Sequence, residues 1–299
     1  MPRKTRNIID YILYSFLFLT IAFFLLAAGN LFFGSKPQPD PPSPAVEEFD
    51  ASYLRLNSID KLTAYCDSLF QATGGTIKYP ILISSVVTKR FYHNYSLYSF
   101  ASNPTMNILA RLLGDETYTA IVIPNDIMKF PNAACSQQSI ICMQVLEREG
   151  IPVRKVAMFD SVSNAGHFTF EAFYDKGWHF FDVDEEPDLD VLNKYARPSA
   201  AFLANHPEIV TAAYSRKPAP DKFVRLLQSH QIGPVNKFPA KTAYFVQLST
   251  KVFNYVGWLF ALLLIYIRAR YRRARAPQAV RVQNSKNFNV SSSPVAELG

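Results

Sequence analysis

Three side chains in the middle of the chain have the types and the spacing that thiol chemistry needs. Cys135 directly precedes a stretch with apolar residues at helical spacing, which places it at the start of a predicted helix. The dipole and the backbone N–H groups of a helix start favour a thiolate, which is the nucleophilic form of cysteine. His167 and Asp182 lie on two strands predicted after this helix, and a histidine–carboxylate pair can activate such a nucleophile.

A hairpin predicts how His167 and Asp182 approach each other. Residues 167–174 and 178–183 are predicted strands, joined by a turn at Asp175-Lys176-Gly177. Positions whose numbers sum to about 350 to 352 then face each other, so His167 falls within a step or two of Asp182. His179 is the rival base, but strand parity puts it on the face opposite Asp182, and we interpret it as structural. Three further histidines are interpreted as lying outside the cluster: His93, His206 and His230.

The remaining chemistry-bearing residues predict neither a cofactor nor a metal. The chain has no zinc-type Cys/His spacing, no phosphate loop and no glycine-rich dinucleotide turn. Residues 182–190 are acidic, but they lack the glycine and the spacing of a calcium loop, so a solvated loop is the better interpretation. Cys66 and Cys142 are predicted to be buried, and a disulfide between them remains an open alternative.

The elements around these residues predict an α+β fold. Helices are expected from residue 58 to Gly74-Gly75, over 81–98, over 106–113, and over 136–149 with Gly150 as its cap. Strands are expected over 118–123, 153–158, 167–174 and 178–183. The order of one helix followed by three strands is typical of a helix packed on an antiparallel sheet.

The net charge of +7 is concentrated at the two ends of the chain. Residues 35–251 carry 21 cations against 22 carboxylates, whereas the two ends together carry ten cations against two carboxylates. This distribution argues against a nucleic-acid partner, because the excess charge flanks apolar segments instead of forming a patch on the domain.

Two apolar segments predict a membrane anchor at each side of the domain. Residues 11–33 contain no charge, and 23 residues suffice for a helix to span a bilayer. A cleaved signal peptide is the alternative for this segment, although the apolar run continues past the small residues at 27–29. Residues 245–267 are the second predicted span, with a buried or surface helix as its alternative, and a run of arginines follows it from Arg268.

The positive-inside rule then gives the topology and the layout. Both termini are expected in the cytoplasm of a two-pass protein of the plasma (inner) membrane, with the bilayer as a partner. The layout is a basic N-terminus at 1–10, a transmembrane helix at 11–33, and a proline-rich linker at 34–50. An extracytoplasmic domain at 51–243, a second transmembrane helix at 245–267 and a basic, disordered tail at 268–299 follow.

The sequence around the three residues resembles the transglutaminase-like superfamily. Residues 146–154 match its helix exit with Gly-Ile-Pro-x-Arg, His167 to Glu171 match a His-x-x-x-Glu strand, and Trp178 to Asp182 match a Trp-x-x-x-Asp strand. The resemblance covers about 55 residues. It implies a papain-like fold with a Cys135–His167–Asp182 triad and acyl transfer through a thioester.

The resemblance leaves two functions open. One is acyl transfer, or peptide or amide hydrolysis, on an extracytoplasmic substrate. The other is a catalytically silent domain that binds assembly proteins of the cell envelope. The silent alternative is motivated by Ala133, where many members have glycine, and by the absence of a clear donor for the oxyanion. Gln137, Gln138 and Asn125 are the candidate donors. An arylamine acetyltransferase would use the same triad, but two membrane anchors argue against that cytosolic chemistry.

Overall fold

The computed structural model describes the backbone of residues 3–33 and 48–288. Its helices are α1 (Arg3–Phe33), α2 (Ile59–Ala72), α3 (Tyr79–Arg90), α4 (Pro104–Leu113), α5 (Pro124–Ile127), α6 (Cys135–Arg148), α7 (Leu189–Asn193), α8 (Ala200–Ala204), α9 (Pro207–Ala213), α10 (Pro220–Gln228) and α11 (Lys241–Phe288). Its strands are β1 (Val153–Asp160), β2 (Ala165–Tyr174), β3 (Gly177–Phe181) and β4 (Gln231–Ile232). The α+β class predicted from the sequence is therefore confirmed.

The chain divides into two compact units, of which the first contains the long apolar helices. By length and composition, Asn7–Asn30 within α1 and Lys241–Ala274 within α11 can each cross a membrane. Only 17% of the most apolar window of either helix is buried, whereas the core helix of a soluble domain is mostly buried. Both helices therefore suit a two-pass membrane protein.

Polar contacts join the parts of this helix unit. The segment Phe100–Thr105 belongs to it, together with α1 and the part of α11 that starts at Thr250. Asn254 of α11 is 1% exposed, and its side-chain amide donates to Asn103 over 2.7 Å. Near the other end of the unit, Arg268 donates to Asp10 of α1 over 2.8 Å. Buried side-chain amides need such partners, so these contacts specify how α1, α11 and the segment pack.

The second unit is built on a four-stranded antiparallel sheet in the order β3-β2-β1-β4. One sheet face, which includes Phe170 and Ala172, packs in a core with apolar residues of α2, α3 and α6. The other face, which includes Val156 and Phe180, packs in a second core with residues of α8, α9 and α10. The odd and even positions of the strands thus face different cores, as the two-residue period of a strand requires.

The hairpin between β2 and β3 has a tighter turn than the sequence suggested. Phe170 pairs with Phe181 and Tyr174 pairs with Gly177, so the register agrees with the predicted one. Only Asp175 and Lys176 lie between the strands, and both have positive φ, at 45° and 66°. Positive φ at both central residues is characteristic of a type I′ turn, which matches the twist of a hairpin. Gly177 is the last residue of this turn and begins β3.

Two segments differ from the sequence prediction. The helix expected over 81–98 ends at Arg90, after which Tyr92 pairs with Asn132 through an isolated bridge. The strand expected over 118–123 is wrong, because a 3-10 helix occupies Glu116–Thr119 and a single bridge joins Ala120 to Leu97. Residues 120–123 are apolar, and an apolar run of this length does not by itself distinguish a strand from an irregular segment.

The predictions for the linker and for the C-terminal tail can be compared with the structure only in part. Disorder was predicted from residue 268, but α11 continues as a helix to Phe288. The run of arginine and alanine after residue 267 favours helix, which explains the continuation. Residues 289–299 of that predicted tail lie outside the described residues, as do residues 34–47 of the predicted linker.

Candidate active site

The start of α6 fixes the position of Cys135. The residues before it are held by the chain that follows α3, because Tyr92 donates to Pro131 O over 3.2 Å and Ala133 donates to Tyr92 O over 3.1 Å. The side-chain oxygen of Gln137 accepts the Ala134 N–H over 3.1 Å, which closes the first turn of the helix. Cys135 itself is partly exposed. Its thiol therefore lies at a rigid helix start and within reach of solvent.

The other two cysteines have no place in this site. Cys66 and Cys142 are both free and fully buried, so the alternative of a disulfide between them is not realised. Burial raises the pKa of Cys66 to about 12 and raises the pKa of Cys142 well above its ordinary value. Both thiols consequently stay protonated and pack as small apolar groups in the core.

The hairpin brings His167 to Asp182. His167 lies near the start of β2, and Asp182 directly follows β3. The Nε2 atom of His167 is 2.8 Å from Oδ2 of Asp182, and both side chains are buried. The carboxylate also accepts the hydroxyl of Tyr214 over 2.8 Å and the N–H of Glu185 over 3.2 Å. These contacts fix the carboxylate, which in turn fixes the orientation of the ring.

The pair is electrostatically set as an imidazolium and a carboxylate. Burial alone would lower the pKa of His167, but the charge and the hydrogen bond of Asp182, with a further contribution from Cys135, raise that pKa well above its ordinary value. Burial alone would raise the pKa of Asp182, but His167, Tyr214 and the Glu185 N–H together hold it below its ordinary value. Attraction to the partner thus exceeds the cost of burial for both groups.

The ring of His167 lies between the carboxylate and the thiol. A ring nitrogen of His167 and Sγ of Cys135 are within 4.8 Å of each other. Because Nε2 is held by Asp182, the Nδ1 side of the ring is the side left for the thiol. The structure thus brings the three sequence-predicted residues together in the order thiol, imidazole, carboxylate. A group in this order can pass a proton between sulfur and the imidazole ring.

A second histidine–carboxylate pair lies beside the thiol, and the sequence interpretation missed it. Nδ1 of His93 is 2.7 and 2.8 Å from the two oxygens of Asp184, and a carboxylate oxygen of Asp184 is within 4.8 Å of Cys135. The hydrogen bond to Asp184 raises the pKa of His93 to about 9; burial opposes this rise, and the charges of Asp184, Cys135 and Glu185 add to it. His93 is therefore an imidazolium at neutral pH.

The sequence offered some indication of Asp184 as a site residue but none of His93. Asp184 lies two residues after Asp182, and that spacing could have indicated a shared face. His93 carries no such signal, because it is brought in by the pairing of Tyr92 with the segment before Cys135. The interpretation that placed His93 outside the cluster is wrong for this reason. The Nδ1 atoms of His206 and His230 donate locally, to Phe202 O and Leu227 O.

His179 has a structural position. Its Nδ1 lies 2.7 Å from Arg197 O, its Nε2 lies 3.0 Å from Tyr174 O, and its ring stacks on Tyr174 with centroids 3.8 Å apart. Both ring nitrogens thus face backbone carbonyls next to the hairpin. The ring is not directed toward Cys135, which agrees with the strand face that the sequence predicted for His179.

Two of the three candidate oxyanion donors, Gln137 and Gln138, are engaged elsewhere through their amide nitrogens. The amide nitrogen of Gln137 donates to Ser96 O and Ile121 O, each over 2.8 Å. The amide nitrogen of Gln138 donates to Ala133 O and to Asp184, each over 2.9 Å. Asn125 accepts the N–H of Ile59 at the start of α2. The backbone donors that remain at the first turn of α6 are the N–H groups of Cys135 and Ser136, because those of Gln137 and Gln138 donate to Ala134 O.

Comparison with known proteins adds little to the description of this site. No protein-family model matches the chain, and no curated protein matches it. Among solved structures, the chain is similar to a crystal structure of a TGase, with 17% sequence identity and a TM-score of 0.30. The match covers 44% of this chain and 31% of that chain, so it spans about a third of the TGase. At this level the similarity supports no inference about activity.

Proposed function

We propose that the chain is a membrane-tethered thiol enzyme that transfers acyl groups through a thioester. In this proposal Cys135 is the nucleophile, His167 is the acid–base group and Asp182 orients the ring. The observation that carries the proposal is the buried His167–Asp182 contact of 2.8 Å, with the ring reaching within 4.8 Å of a partly exposed thiol at a helix start. Such an arrangement supplies both a nucleophile and a proton carrier.

The reaction follows from these positions. The sulfur of Cys135 attacks an amide carbonyl, a C–S bond forms, and the C–N bond breaks as the imidazolium of His167 gives its proton to the leaving amine. Water or a second amine then attacks the thioester and gives a proton back to His167, and the C–S bond breaks. Hydrolysis and transamidation differ only in this second nucleophile. Neither route needs a cofactor.

The substrate is proposed to be an extracytoplasmic peptide or amide. Two helices that can cross a membrane, with basic flanks at the outer ends of both, support a two-pass topology with cytoplasmic termini. The domain between them would then face the outside of a plasma (inner) membrane, where peptides and amides of the cell envelope are accessible.

The test is thiol labelling followed by an activity screen. The full chain in detergent is treated with iodoacetamide at pH 7, and modified residues are located by mass spectrometry. We expect rapid modification of Cys135, with Cys66 and Cys142 as unmodified internal controls. We also expect thiol-dependent turnover of activated esters or amides that is lost in Cys135→Ala. If Cys135 reacts no faster than the two buried thiols, the proposed nucleophile is wrong.

A silent domain remains the second candidate because of one observation. The amide nitrogens of Gln137 and Gln138 are engaged in other contacts, and the side-chain oxygen of Asn125 is held at the start of α2. Loss of a single oxyanion donor costs roughly 100- to 1000-fold in catalysis, so a site without one can keep its shape and not turn over. A cellular phenotype that is unchanged in Cys135→Ala but lost on deletion of the chain would favour this binding role. A phenotype lost in Cys135→Ala would exclude it.

A further inference from the structure

A sulfur, a nitrogen and an oxygen that could each bind a metal ion lie close together at the candidate active site. The thiol sulfur of Cys135, a ring nitrogen of His167 and a carboxylate oxygen of Asp184 all lie within 4.8 Å of one another. The residues come from the start of α6, from β2 and from the loop after β3. Because the three segments are far apart in sequence, no Cys/His spacing could have predicted the cluster.

The side chains of His167 and Asp184 are each already oriented by a hydrogen bond. Asp182 holds Nε2 of His167 over 2.8 Å, which leaves the other ring nitrogen as the ligand atom. A carboxylate on the far nitrogen is how proteins fix the tautomer of a metal-binding histidine. Asp184 is held by Gln138 over 2.9 Å and by His93 over 2.7 Å. The ligands therefore have the supporting contacts that a metal site requires.

We propose that Cys135, His167 and Asp184 form a binding site for a zinc-like transition-metal ion. A thiolate, an imidazole and a carboxylate are the ligand types that zinc accepts, and three protein ligands leave a fourth position for water. Ligand atoms around one zinc ion are roughly 3.5 Å apart, given bond lengths of about 2.0 to 2.3 Å. A sulfur–metal bond forms, and one proton leaves the Cys135–His167 pair for solvent.

Magnesium and calcium are not expected to bind in this way. Both prefer oxygen ligands, whereas this cluster offers one oxygen-bearing group beside a sulfur and a nitrogen. The bound ion would occupy the lone pair of the thiol, so it blocks that sulfur reversibly. This consequence concerns the thiol itself, and it holds whether or not the triad turns over a substrate.

The first experiment uses zinc to protect the thiol. The full chain in detergent is labelled with iodoacetamide at several Zn²⁺ concentrations, and alkylation of Cys135 is followed by mass spectrometry. We expect Zn²⁺ to slow alkylation, a chelator to restore it, and Mg²⁺ at the same concentration to have no effect. Equal protection by Zn²⁺ and Mg²⁺, or no protection by Zn²⁺, would overturn the proposal.

A matched pair of variants tests the carboxylate ligand. Asp184→Asn should raise the Zn²⁺ concentration that gives half-protection by at least tenfold, because loss of even a supporting contact costs about 10- to 100-fold in metal affinity. Asp190→Asn, at an exposed position in α7, is the control and should behave as the unaltered chain. If Asp184→Asn is protected as well as the control, Asp184 is not a ligand.

A spectroscopic readout does not depend on any carboxylate variant. Co²⁺ replaces zinc in sites of this kind and gives a sulfur-to-metal charge-transfer band when a thiolate is bound. We expect this band with the unaltered chain and its loss in Cys135→Ala, which retains the other two cysteines. A band of equal strength in Cys135→Ala, or no band in the unaltered chain, contradicts the site.

Discussion

At the scale of single residues, His167 and His93 reach protonated states by different routes. His167 is buried and depends on Asp182, which is itself fixed by Tyr214 and a backbone N–H. His93 has a half-exposed side chain and depends on both oxygens of Asp184. Two imidazolium groups consequently lie near one thiol. Opposite charges nearby stabilise a thiolate, so both groups bear on the reactivity of Cys135.

Replacement of Asp182 by asparagine should slow the thiol. The asparagine has no negative charge to stabilise the imidazolium of His167. Loss of a nearby opposite charge lowers the pKa of such a group by roughly one to three units. We therefore expect the rate constant for alkylation of Cys135 at pH 7 to fall in Asp182→Asn, by about tenfold or more. Asp190→Asn serves as the control. Equal rates in the two variants would mean that Asp182 does not act on the thiol through His167.

His93 predicts a pH dependence of stability. Its pKa rises from 6.5 to about 9 on folding, so the stabilisation from His93 is complete below about pH 6.5 and is lost as the pH rises through 9. The difference in thermal midpoint between the unaltered chain and His93→Gln should therefore shrink between pH 6 and pH 9.5. His206→Gln is the control, because the ring of His206 donates to Phe202 O and stacks on the Phe202 ring, and no carboxylate contact is described for it. A constant difference for His93→Gln would argue against the raised pKa.

At the scale of elements, α6 and the β2–β3 hairpin position most of the site. The helix presents Cys135 at its start and buries Ile141, Val145 and Leu146 against the sheet side of the core. The hairpin presents His167 and Asp182 near the open ends of its strands. The site therefore depends on how firmly one helix and one turn are held, and both can be tested separately.

Shortening Ile141 should destabilise the domain. The side chain is fully buried in the core, and truncation of a buried isoleucine to alanine costs about 2 to 5 kcal/mol because it leaves a cavity. We expect Ile141→Ala to lower the denaturation midpoint of the full chain in detergent by a corresponding amount. Glu147→Ala, on the exposed side of the same helix, should change stability by less than about 0.5 kcal/mol. Similar losses in both variants would contradict the packing of α6.

A glycine in the hairpin turn should have the opposite effect. Lys176 has φ of 66°, and an L-residue in this region costs roughly 1 to 2 kcal/mol. Part of the gain from Lys176→Gly is offset by the larger backbone entropy of glycine in the unfolded chain, so we expect a net stabilisation of up to about 1 kcal/mol. Lys194→Gly, at an ordinary helical φ of −57°, should destabilise instead. Chemical denaturation of both variants checks the sign of each change.

The elements also show what the sequence could predict and what it could not. The register of β2 with β3 followed from a short turn and strict alternation, both of which are local properties. The approach of His93 to Asp184 did not follow, because it joins residues 91 positions apart through a single backbone bridge. The strand predicted over residues 118–123 was wrong for a related reason. Ile121 is fully buried, as the apolar pattern indicated, but Tyr118 is exposed, and a short apolar run does not distinguish a strand from an irregular segment.

At the scale of the whole molecule, the two apolar helices decide where the site can act. Both can cross a membrane by length and composition, and the arginine-rich end of α11 follows its apolar part. The positive-inside rule predicts that this end stays in the cytoplasm. The proposed reaction and the proposed zinc binding both depend on this orientation, because the cytoplasm and the outside of the membrane differ in thiols and in free metal.

Reporter fusions test this orientation. A reporter that is active only outside the cytoplasm should be silent when fused after Pro277 and active when inserted in the domain. A cytoplasmic reporter at the same two positions should give the reverse pattern, which controls for expression. Activity of the external reporter after Pro277 would rule out the two-pass topology with cytoplasmic termini.

The burial of Cys66 and Cys142 makes the number of alkylated thiols per chain a measure of folding. Both side chains are 0% exposed, whereas Cys135 is partly exposed. A native chain thus offers one thiol to a reagent, and an unfolded chain offers three. The rate at which the second and third thiols react counts the openings of the core, in the way that hydrogen exchange counts openings of the backbone. Intact membranes could be assayed in this manner, with no purification and no knowledge of the substrate.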